Sequence, residues 1–215
     1  MSDDESRASA REMAARSLAS GDDTGWFEAL YSAAAEGRAI VPWADLAANP
    51  DLVERVRPGS GSAVVVGCGL GDDAEYLASL GWKVTAFDVS PSAVEQARAR
   101  FGGSSVDYVV ADLLAPPAGW AFDLVVEIYT VQVLTAGARR AAIANTAALV
   151  APGGTLLVIA RARADDESEG LMPWPLTRGE MESFADGGLR PVTIADFLDG
   201  EDPPVRRWHG EFRRD

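Results

Sequence analysis

The fold is decided by the stretch Val64-Val65-Val66-Gly67-Cys68-Gly69-Leu70-Gly71-Asp72-Asp73. Its continuous apolar run is typical of a strand that is buried on both faces of a parallel sheet. The glycines that follow let the backbone approach a ligand without a Cβ in the way. The stretch therefore predicts a strand, a ligand-binding turn and the start of a helix, one after another.

Strands and helices alternate along the chain after this stretch. Strands are predicted at 62–66, 83–88, 106–110, 122–127 and 155–161, and helices at 72–80, 91–101 and 136–150. Pro152-Gly153-Gly154 predicts a turn before the fifth strand. This alternation is typical of a doubly wound α/β sheet with right-handed crossovers.

The last part of the chain follows a different pattern. Thr177 and Glu180 fit a capping box, which predicts a short helix. The runs Leu189–Leu198 and Val205–Phe212 lie on either side of a polar turn and predict an antiparallel hairpin at one edge of the sheet. The fold class is then α/β: a Rossmann-like, doubly wound seven-stranded sheet, mostly parallel with an antiparallel edge hairpin, and with helices on both faces.

The segment before the first strand predicts helices. Residues 1 to about 20 predict a frayed tail and a short helix, and Thr24–Gly37 carries apolar residues at helical spacing. Asn49 is a candidate N-cap before Pro50. We expect residues 1–58 to form a helical lid on the substrate side and residues 59–215 to form the α/β domain, within a single globular unit.

Composition limits the class of protein and its partners. The chain has 215 residues, of which 47% are apolar and 24% charged, as in one soluble globular domain. A formal charge of −14 repels nucleic acids and anionic membranes, so we expect neither as a partner. The acidic amino terminus has no apolar run behind it, so we expect no secretory signal and a cytoplasmic location.

Cysteine and histidine are too scarce for several kinds of site. Cys68 is the only cysteine and His209 the only histidine, which excludes an intrachain disulfide, a Ser-His-Asp triad and a two-histidine zinc site. We therefore predict no metal. His209 and the cluster Arg206, Arg207, Arg213 and Arg214 are expected in an edge strand, where arginines act as solvated charges that discourage edge pairing.

The residues after the glycine turn distinguish two classes of ligand. Asp88 ends the next strand twenty-one positions after Gly67, near the offset at which an acidic residue meets a ribose. A dinucleotide site needs a third glycine at position 72 and an uncharged helix start for the pyrophosphate, but Asp72 and Asp73 stand there. S-adenosylmethionine carries positive charge and no phosphate, so acidic surroundings suit it better.

The chain resembles the class I S-adenosylmethionine-dependent methyltransferases over about residues 60–160. Five segments carry the resemblance in the family's order: 65–72 in the glycine turn, 87–91 after the second strand, 111–113 after the third, 122–127 in the fourth, and 152–157 at the fifth. Residues 40–43, with Pro50 and Leu52, are similar to the corresponding stretch of thiopurine and tellurite-resistance methyltransferases. The resemblance implies S-adenosylmethionine as cofactor and S-adenosylhomocysteine as product.

The family's binding roles fall on specific positions of this chain. The resemblance implies that Gly67, Cys68, Gly69 and Gly71 hold the methionine part and that Asp88 bonds the ribose hydroxyls. It further implies adenine contacts from Val89, Asp112 and Leu113, and a position for Glu127 where methyl donor and acceptor meet. Trp43 is predicted to be a lid residue that contacts the cofactor. Trp174 is predicted to be a lid residue on the acceptor side. Purely structural roles remain as alternatives to binding. These are Asp88 as a helix cap, Asp112 as a turn former, Glu127 as a solvated strand end, and Phe27 and Tyr31 as core residues.

The predicted function is methyl transfer to a small-molecule nucleophile by in-line displacement. A thiol is one candidate acceptor because its own acidity supplies the thiolate, whereas an alcohol or amine needs a base such as Glu127. Two alternatives stay open, an NAD-dependent oxidoreductase and a non-catalytic module that binds S-adenosylmethionine. We expect a monomer or a homodimer.

Overall fold

The computed structural model describes residues 3–215, with side chains from residue 4 onward. In this part of the chain the strands form a seven-stranded sheet of order β3-β2-β1-β4-β5-β7-β6. They are β1 Ser62–Val66, β2 Lys83–Asp88, β3 Asp107–Val110, β4 Phe122–Ile128, β5 Val150–Arg161, β6 Arg190–Leu198 and β7 Arg206–Arg213. β1 pairs with β4, β2 with β3 and β4 with β5 in parallel, whereas β7 runs antiparallel to β5 and β6. The predicted fold class is confirmed.

The helices begin and end close to the predicted residues. They are α1 Asp3–Ala19, α2 Gly25–Ala35, α3 Pro50–Arg55, α4 Asp72–Ser79, α5 Pro91–Arg100, α6 Ala136–Ala148 and α7 Arg178–Glu182. Asn49, Ser90 and Thr177 cap α3, α5 and α7 with their side chains, as their sequence positions predict. The short helix predicted near the amino terminus is wrong in length, because α1 has 17 residues. Of the predicted frayed tail, residues 1–2 lie outside the described residues, and α1 already begins at Asp3.

The chain divides into two compact units. The first comprises Met1–Ser60 and Gly67–Asp112, and the second comprises Gly61–Val66 and Leu113–Asp215. In the first, α4 and α5 pack on β2, and α2 packs on α5. Buried apolar side chains from these elements form its core, among them Trp26, Leu30, Leu77, Phe87 and Val94.

The core of the second unit lies around β1, β4 and β5. Val125 and Val126 from β4 and residues 156–160 of β5 are buried, and Ile143 of α6 is buried as well. α6 packs on β5. The continuous apolar runs that predicted doubly buried strands are confirmed, because side chains on both faces of these strands are removed from water.

β5 begins earlier than its sequence predicts. Val150 already pairs with Phe122, the next pair is Thr155 with Leu124, and the residues between them form a bulge. A Cβ at Gly154 would lie 2.8 Å from the carbonyl oxygen of Phe122, so the backbone fits only glycine there. The predicted Pro152-Gly153-Gly154 turn is therefore a bulge within one long strand.

β7 lies inside the sheet and β6 forms its edge, which corrects the placement of the carboxy-terminal residues. His209 is buried, as is Arg207, whose guanidinium pairs with Asp199 at 2.6 Å and with Glu201. Arg207 is therefore not a solvated edge charge. Sequence alone could not distinguish the two strands of the hairpin, because either one could have paired with β5.

Among the described helices, none combines the length and the apolar character that crossing a membrane requires.

Candidate functional site

The glycine turn adopts a conformation that residues with a Cβ rarely take. Gly67, Gly69 and Gly71 have φ angles of 60°, 50° and 92°, all in the left-handed region. The amide of Cys68 donates to the carbonyl of Phe87 at 2.9 Å, and the amide of Gly71 donates to the carbonyl of Cys68 at 2.9 Å. The turn is thus attached to the end of β2 and closes on itself before α4 begins.

Asp88 is held at this turn by backbone amides. Its Oδ2 accepts from the amide of Gly69 at 3.0 Å and its Oδ1 accepts from the amide of Ser90 at 2.9 Å. Burial raises the pKa of Asp88 to about 6, although these amides act to lower it. A carboxylate oxygen can accept more than one hydrogen bond, so each oxygen can still accept from a ligand hydroxyl. The helix cap of α5 is Ser90 and not Asp88.

Glu28 of α2 holds the start of α5 beside Asp88. Its carboxylate accepts from the hydroxyl of Ser90 at 2.6 Å, from the hydroxyl of Ser92 at 2.7 Å and from the amide of Ser92 at 3.0 Å. Because Ser90 also donates its amide to Asp88, Glu28 stabilises the loop next to Asp88, the candidate ribose-binding residue. Glu28 was not predicted as a site residue. It lies in one predicted helix, whereas Ser90 and Ser92 lie at the start of another, 62 and 64 positions later, so the sequence gives little sign that they meet.

Val89 and Asp112 follow the ends of neighbouring strands in the first unit. Asp88 pairs with Val110 across β2 and β3, and the amide of Ala111 donates to the carbonyl of Asp88 at 3.0 Å. Val89 and Asp112 are both half-buried. The structure thus brings the ends of β2 and β3 together, as the predicted adenine contacts require, while those contacts themselves stay predictions.

Trp43 is linked to the glycine turn through Tyr31. The indole Nε1 of Trp43 donates to the hydroxyl of Tyr31 at 3.1 Å, and Trp43 keeps 40% of its surface exposed. Tyr31 is buried, and a Cβ at Gly69 would lie 2.8 Å from its Oη. The prediction of Tyr31 as core is correct for its burial but missed its contact with the turn. Phe27, also predicted as core, is half-buried and stacks on Trp26.

The thiol of Cys68 is buried beside Asp88. Burial, followed by the negative charge of Asp88, raises the pKa of the Cys68 thiol well above its usual value. The thiol therefore stays protonated, and a protonated thiol is a poor nucleophile. The predicted role of Cys68 in the binding turn therefore rests on its backbone and not on its thiol.

The two aspartates at the start of α4 have partners that the sequence did not show. Arg100 binds the carboxylate of Asp72 with two nitrogens, at 2.8 and 2.9 Å, and Asp73 accepts from the amide of Asn49 at 2.7 Å. Burial raises the pKa of Asp73 to about 6. The charge argument against a pyrophosphate is thus weaker than the sequence indicated, because Arg100 offsets Asp72. The lack of a third glycine at position 72 still stands against a dinucleotide.

Glu127 belongs to the second unit and is completely buried at the end of β4. Its Oε1 accepts from the amides of Thr130 and Val131 at 2.7 and 2.9 Å, whereas its buried Oε2 has no hydrogen-bond partner among the described residues. Burial raises the pKa of Glu127 to about 7, against the effect of those amides. The alternative of a solvated strand end is wrong, because no part of this side chain reaches solvent.

Leu113 and Trp174 are the other predicted site residues that belong to the second unit. Leu113 is buried, and its carbonyl accepts from Asn145 at 2.8 Å. The amide of Trp174 donates to the carbonyl of Gln132 at 2.8 Å, which ties its loop to the segment after β4.

Tyr129, which follows β4, has a φ of 60°, an unusual backbone angle for a tyrosine. Strain of this kind is common at functional sites.

A comparison with protein families finds a match over the region that contains the glycine turn. A family model described as "Methyltransferase domain" matches residues 63–154, from β1 through the glycine turn to the bulge of β5. This match includes most of the motifs that resemble the class I S-adenosylmethionine-dependent methyltransferases.

Known proteins similar to this chain include Nodulation protein S of Bradyrhizobium diazoefficiens. The two are 36% identical over 98 residues, which cover 45% of this chain and 47% of that protein. The matched region thus spans about half the length of that curated relative.

Two solved structures share the fold of this chain. N-methyltransferase NodS from Bradyrhizobium japonicum WM9, in complex with S-adenosyl-L-homocysteine, has a TM-score of 0.68 at 23% identity and covers 87% of this chain and 98% of that one. TehB from Haemophilus influenzae has a TM-score of 0.66 at 16% identity and covers 81% of this chain and 65% of that one.

Proposed function

We propose that this protein is an enzyme that transfers the methyl group of S-adenosylmethionine to a small-molecule nucleophile. The observation that carries the proposal is Asp88, a buried carboxylate fixed by two backbone amides at a left-handed glycine turn, with acceptor capacity left on both oxygens. Such a carboxylate is suited to the two hydroxyls of a ribose. S-adenosylmethionine supplies an activated methyl group, and the protein's own task is to orient the reactants and exclude water.

The proposal gives the site residues the roles that the resemblance implies. The turn from Gly67 to Gly71 holds the methionine part, Val89, Asp112 and Leu113 contact adenine, and Trp43 covers the cofactor. Residues 1–58 form the side from which the acceptor enters. The support is local: Tyr31 reaches the turn from this segment, Trp43 donates to its hydroxyl, and Glu28 holds the loop after Asp88.

Two acceptor classes make different demands on Glu127. An amine has to lose a proton during the transfer, and the unpartnered Oε2 of a carboxylate whose pKa is about 7 suits that task. A thiol ionises by itself and needs no such group. NodS, which is an N-methyltransferase by name, supports testing amines beside thiols.

A binding measurement and an activity measurement test the proposal separately. Calorimetric titration with S-adenosylhomocysteine and with NAD should give binding of the first alone, and binding of NAD alone would support an oxidoreductase. Methyl transfer from labelled S-adenosylmethionine is then measured across thiols, phenols and amines. Transfer to any of them supports an enzyme, whereas cofactor binding without transfer to any acceptor would support a non-catalytic module.

A further inference from the structure

The hydroxyl of Tyr31 reaches the glycine turn from α2. Its Oη lies 2.8 Å from the position that a Cβ of residue 69 would occupy, and only 2% of Tyr31 is exposed. Gly69 has a φ of 50°, and its amide is already used by Asp88. A buried hydroxyl thus faces the segment that the methionine part of the cofactor is proposed to approach.

The hydrogen bonding of this hydroxyl is incomplete. Trp43 donates its Nε1 hydrogen to the Tyr31 oxygen, so that oxygen acts as an acceptor. Nothing in the part of the chain that the structure describes accepts the hydroxyl hydrogen of Tyr31 in return. A buried donor without an acceptor is costly, and native proteins keep very few of them.

The hydroxyl also keeps its proton in this environment. Burial, and then the negative charge of Asp88, raises the pKa of Tyr31 above its usual value. Tyr31 therefore remains a neutral donor at physiological pH. Its missing partner has to be a ligand atom that accepts a hydrogen bond.

We propose that Tyr31 donates its hydroxyl hydrogen to the carboxylate of the cofactor's methionine part, with Trp43 fixing the orientation of that hydroxyl. The proposal rests on the proposed function, because it takes S-adenosylmethionine as the ligand. The ammonium and the sulfonium of that ligand cannot accept a hydrogen bond, and the ribose hydroxyls are assigned to Asp88 as donors. The carboxylate is the remaining strong acceptor beside the turn, and a hydrogen bond to an ionised acceptor is stronger than a neutral one.

Two ligands that differ in the amino-acid part test the proposal. S-adenosylhomocysteine has the carboxylate, whereas 5′-methylthioadenosine keeps adenine, ribose and sulfur but lacks it. In Tyr31→Phe we expect the Kd for S-adenosylhomocysteine to rise roughly ten- to one-hundred-fold, the usual effect of losing a hydrogen bond to a charged group. The Kd for 5′-methylthioadenosine should stay unchanged. Calorimetry on the full chain measures both.

Tyr76→Phe is the matched control, because Tyr76 donates its hydroxyl to the carbonyl of Val53 at 3.2 Å, away from the turn. This variant should leave both Kd values unchanged. Trp43→Phe removes the donor that orients the Tyr31 hydroxyl, and it should raise the Kd for S-adenosylhomocysteine alone, by a smaller factor. If Tyr31→Phe fails to fold, as judged by circular dichroism, Trp43→Phe decides in its place.

The possible outcomes separate this inference from the proposed function. An equal loss for both ligands would place the donation on the nucleoside and overturn the inference, as would unchanged affinity for both. In either case the wild-type protein would still bind S-adenosylhomocysteine, and the proposed function would stand. A wild-type protein that binds neither ligand would remove the proposed function and this inference with it.

Discussion

At the scale of single residues, Asp88 is the side chain on which the proposed cofactor binding depends most directly. It is buried, its pKa is raised to about 6 by burial, and the amides of Gly69 and Ser90 hold both oxygens in place. Fixing a carboxylate before the ligand arrives reduces the entropy lost on binding. We therefore expect Asp88 to contribute to ligand binding.

We expect Asp88→Ala to weaken S-adenosylhomocysteine binding by about 1–3 kcal/mol, because ribose hydroxyls would lose their acceptor in a buried site. The variant should remain folded by circular dichroism. Calorimetry measures the affinity, and Asp107→Ala, an exposed aspartate at the start of β3, is the control. Unchanged affinity in a folded Asp88→Ala protein would contradict the assignment.

Glu127 differs from Asp88 in having one unpartnered oxygen. A buried carboxylate whose pKa is about 7 is half protonated near neutrality, so it can take up a proton over the physiological range. This property matters only for an acceptor that has to be deprotonated during methyl transfer.

For an amine acceptor, Glu127→Gln should lower kcat roughly one-hundred-fold, a typical effect of removing a general base. The wild-type rate should rise with pH through about 7, as the carboxylate ionises, and the variant should lack that component. For a thiol acceptor the variant should keep its rate. Initial rates between pH 5.5 and 9 check this, with the exposed Glu54→Gln as control. Identical amine rates and pH profiles in Glu127→Gln and wild type would contradict the proposed base.

At the scale of elements, the bulge of β5 shows how a backbone approach limits the residue type. Gly154 lies against the carbonyl oxygens of Phe122, Ala151 and Asp123, at 2.8, 2.9 and 3.1 Å from the position of a Cβ. These are backbone atoms of paired strands, so they cannot move aside as a flexible side chain would. Gly154 lies in the bulge across which the register of β4 and β5 shifts.

Gly154→Ala should lower the free energy of unfolding by about 1–3 kcal/mol, the usual cost of overpacking. Gly137→Ala is the matched control, since a Cβ at Gly137 in α6 meets nothing within 4 Å. That control should be stabilised by up to about 1 kcal/mol, because alanine favours a helix over glycine. Urea unfolding of the two variants measures both effects, and equal stability of Gly154→Ala and wild type would contradict the packing argument.

At the scale of the whole molecule, acidic groups determine how stability depends on pH. Burial raises the pKa values of Asp73 and Asp88 to about 6 and of Glu127 to about 7, above their unfolded values. Between about pH 4 and pH 7 the folded state therefore binds more protons at these groups than the unfolded state, and stability falls as pH rises. The net charge of −14 acts in the same direction through self-repulsion.

We expect the free energy of unfolding to be largest near pH 4 to 5 and to decrease toward pH 7. Below about pH 4 it should fall again, because the amides of Thr24 and Gly25 lower the pKa of Asp22, and the amide and hydroxyl of Ser62 lower that of Asp123. Urea titrations without ligand at several pH values measure the curve. Asp73→Asn should flatten the decrease between pH 4 and 7, and a stability that rises across that range would contradict the prediction.

The sequence by itself determined most of the elements and the prediction for the turn, because both depend on local properties. Apolar runs identify the buried strands, and the caps at Asn49, Ser90 and Thr177 lie within a few residues of the amides they bind. The positions of Gly67–Gly71 and Asp88 likewise follow from the alternation of strand, turn and helix. A resemblance of several short motifs in order then indicated the family.

Only the tertiary structure decided which distant residues meet. Arg100 on Asp72, Glu28 at Ser90 and the Tyr31 hydroxyl at Gly69 each join residues at least 28 positions apart. The order of β7 and β6 and the length of β5 also depend on pairing across the sheet. The physical reason is that a capping side chain or an apolar run acts on its own neighbourhood, whereas ion pairs, buried hydroxyls and strand order arise only when packing brings remote segments together.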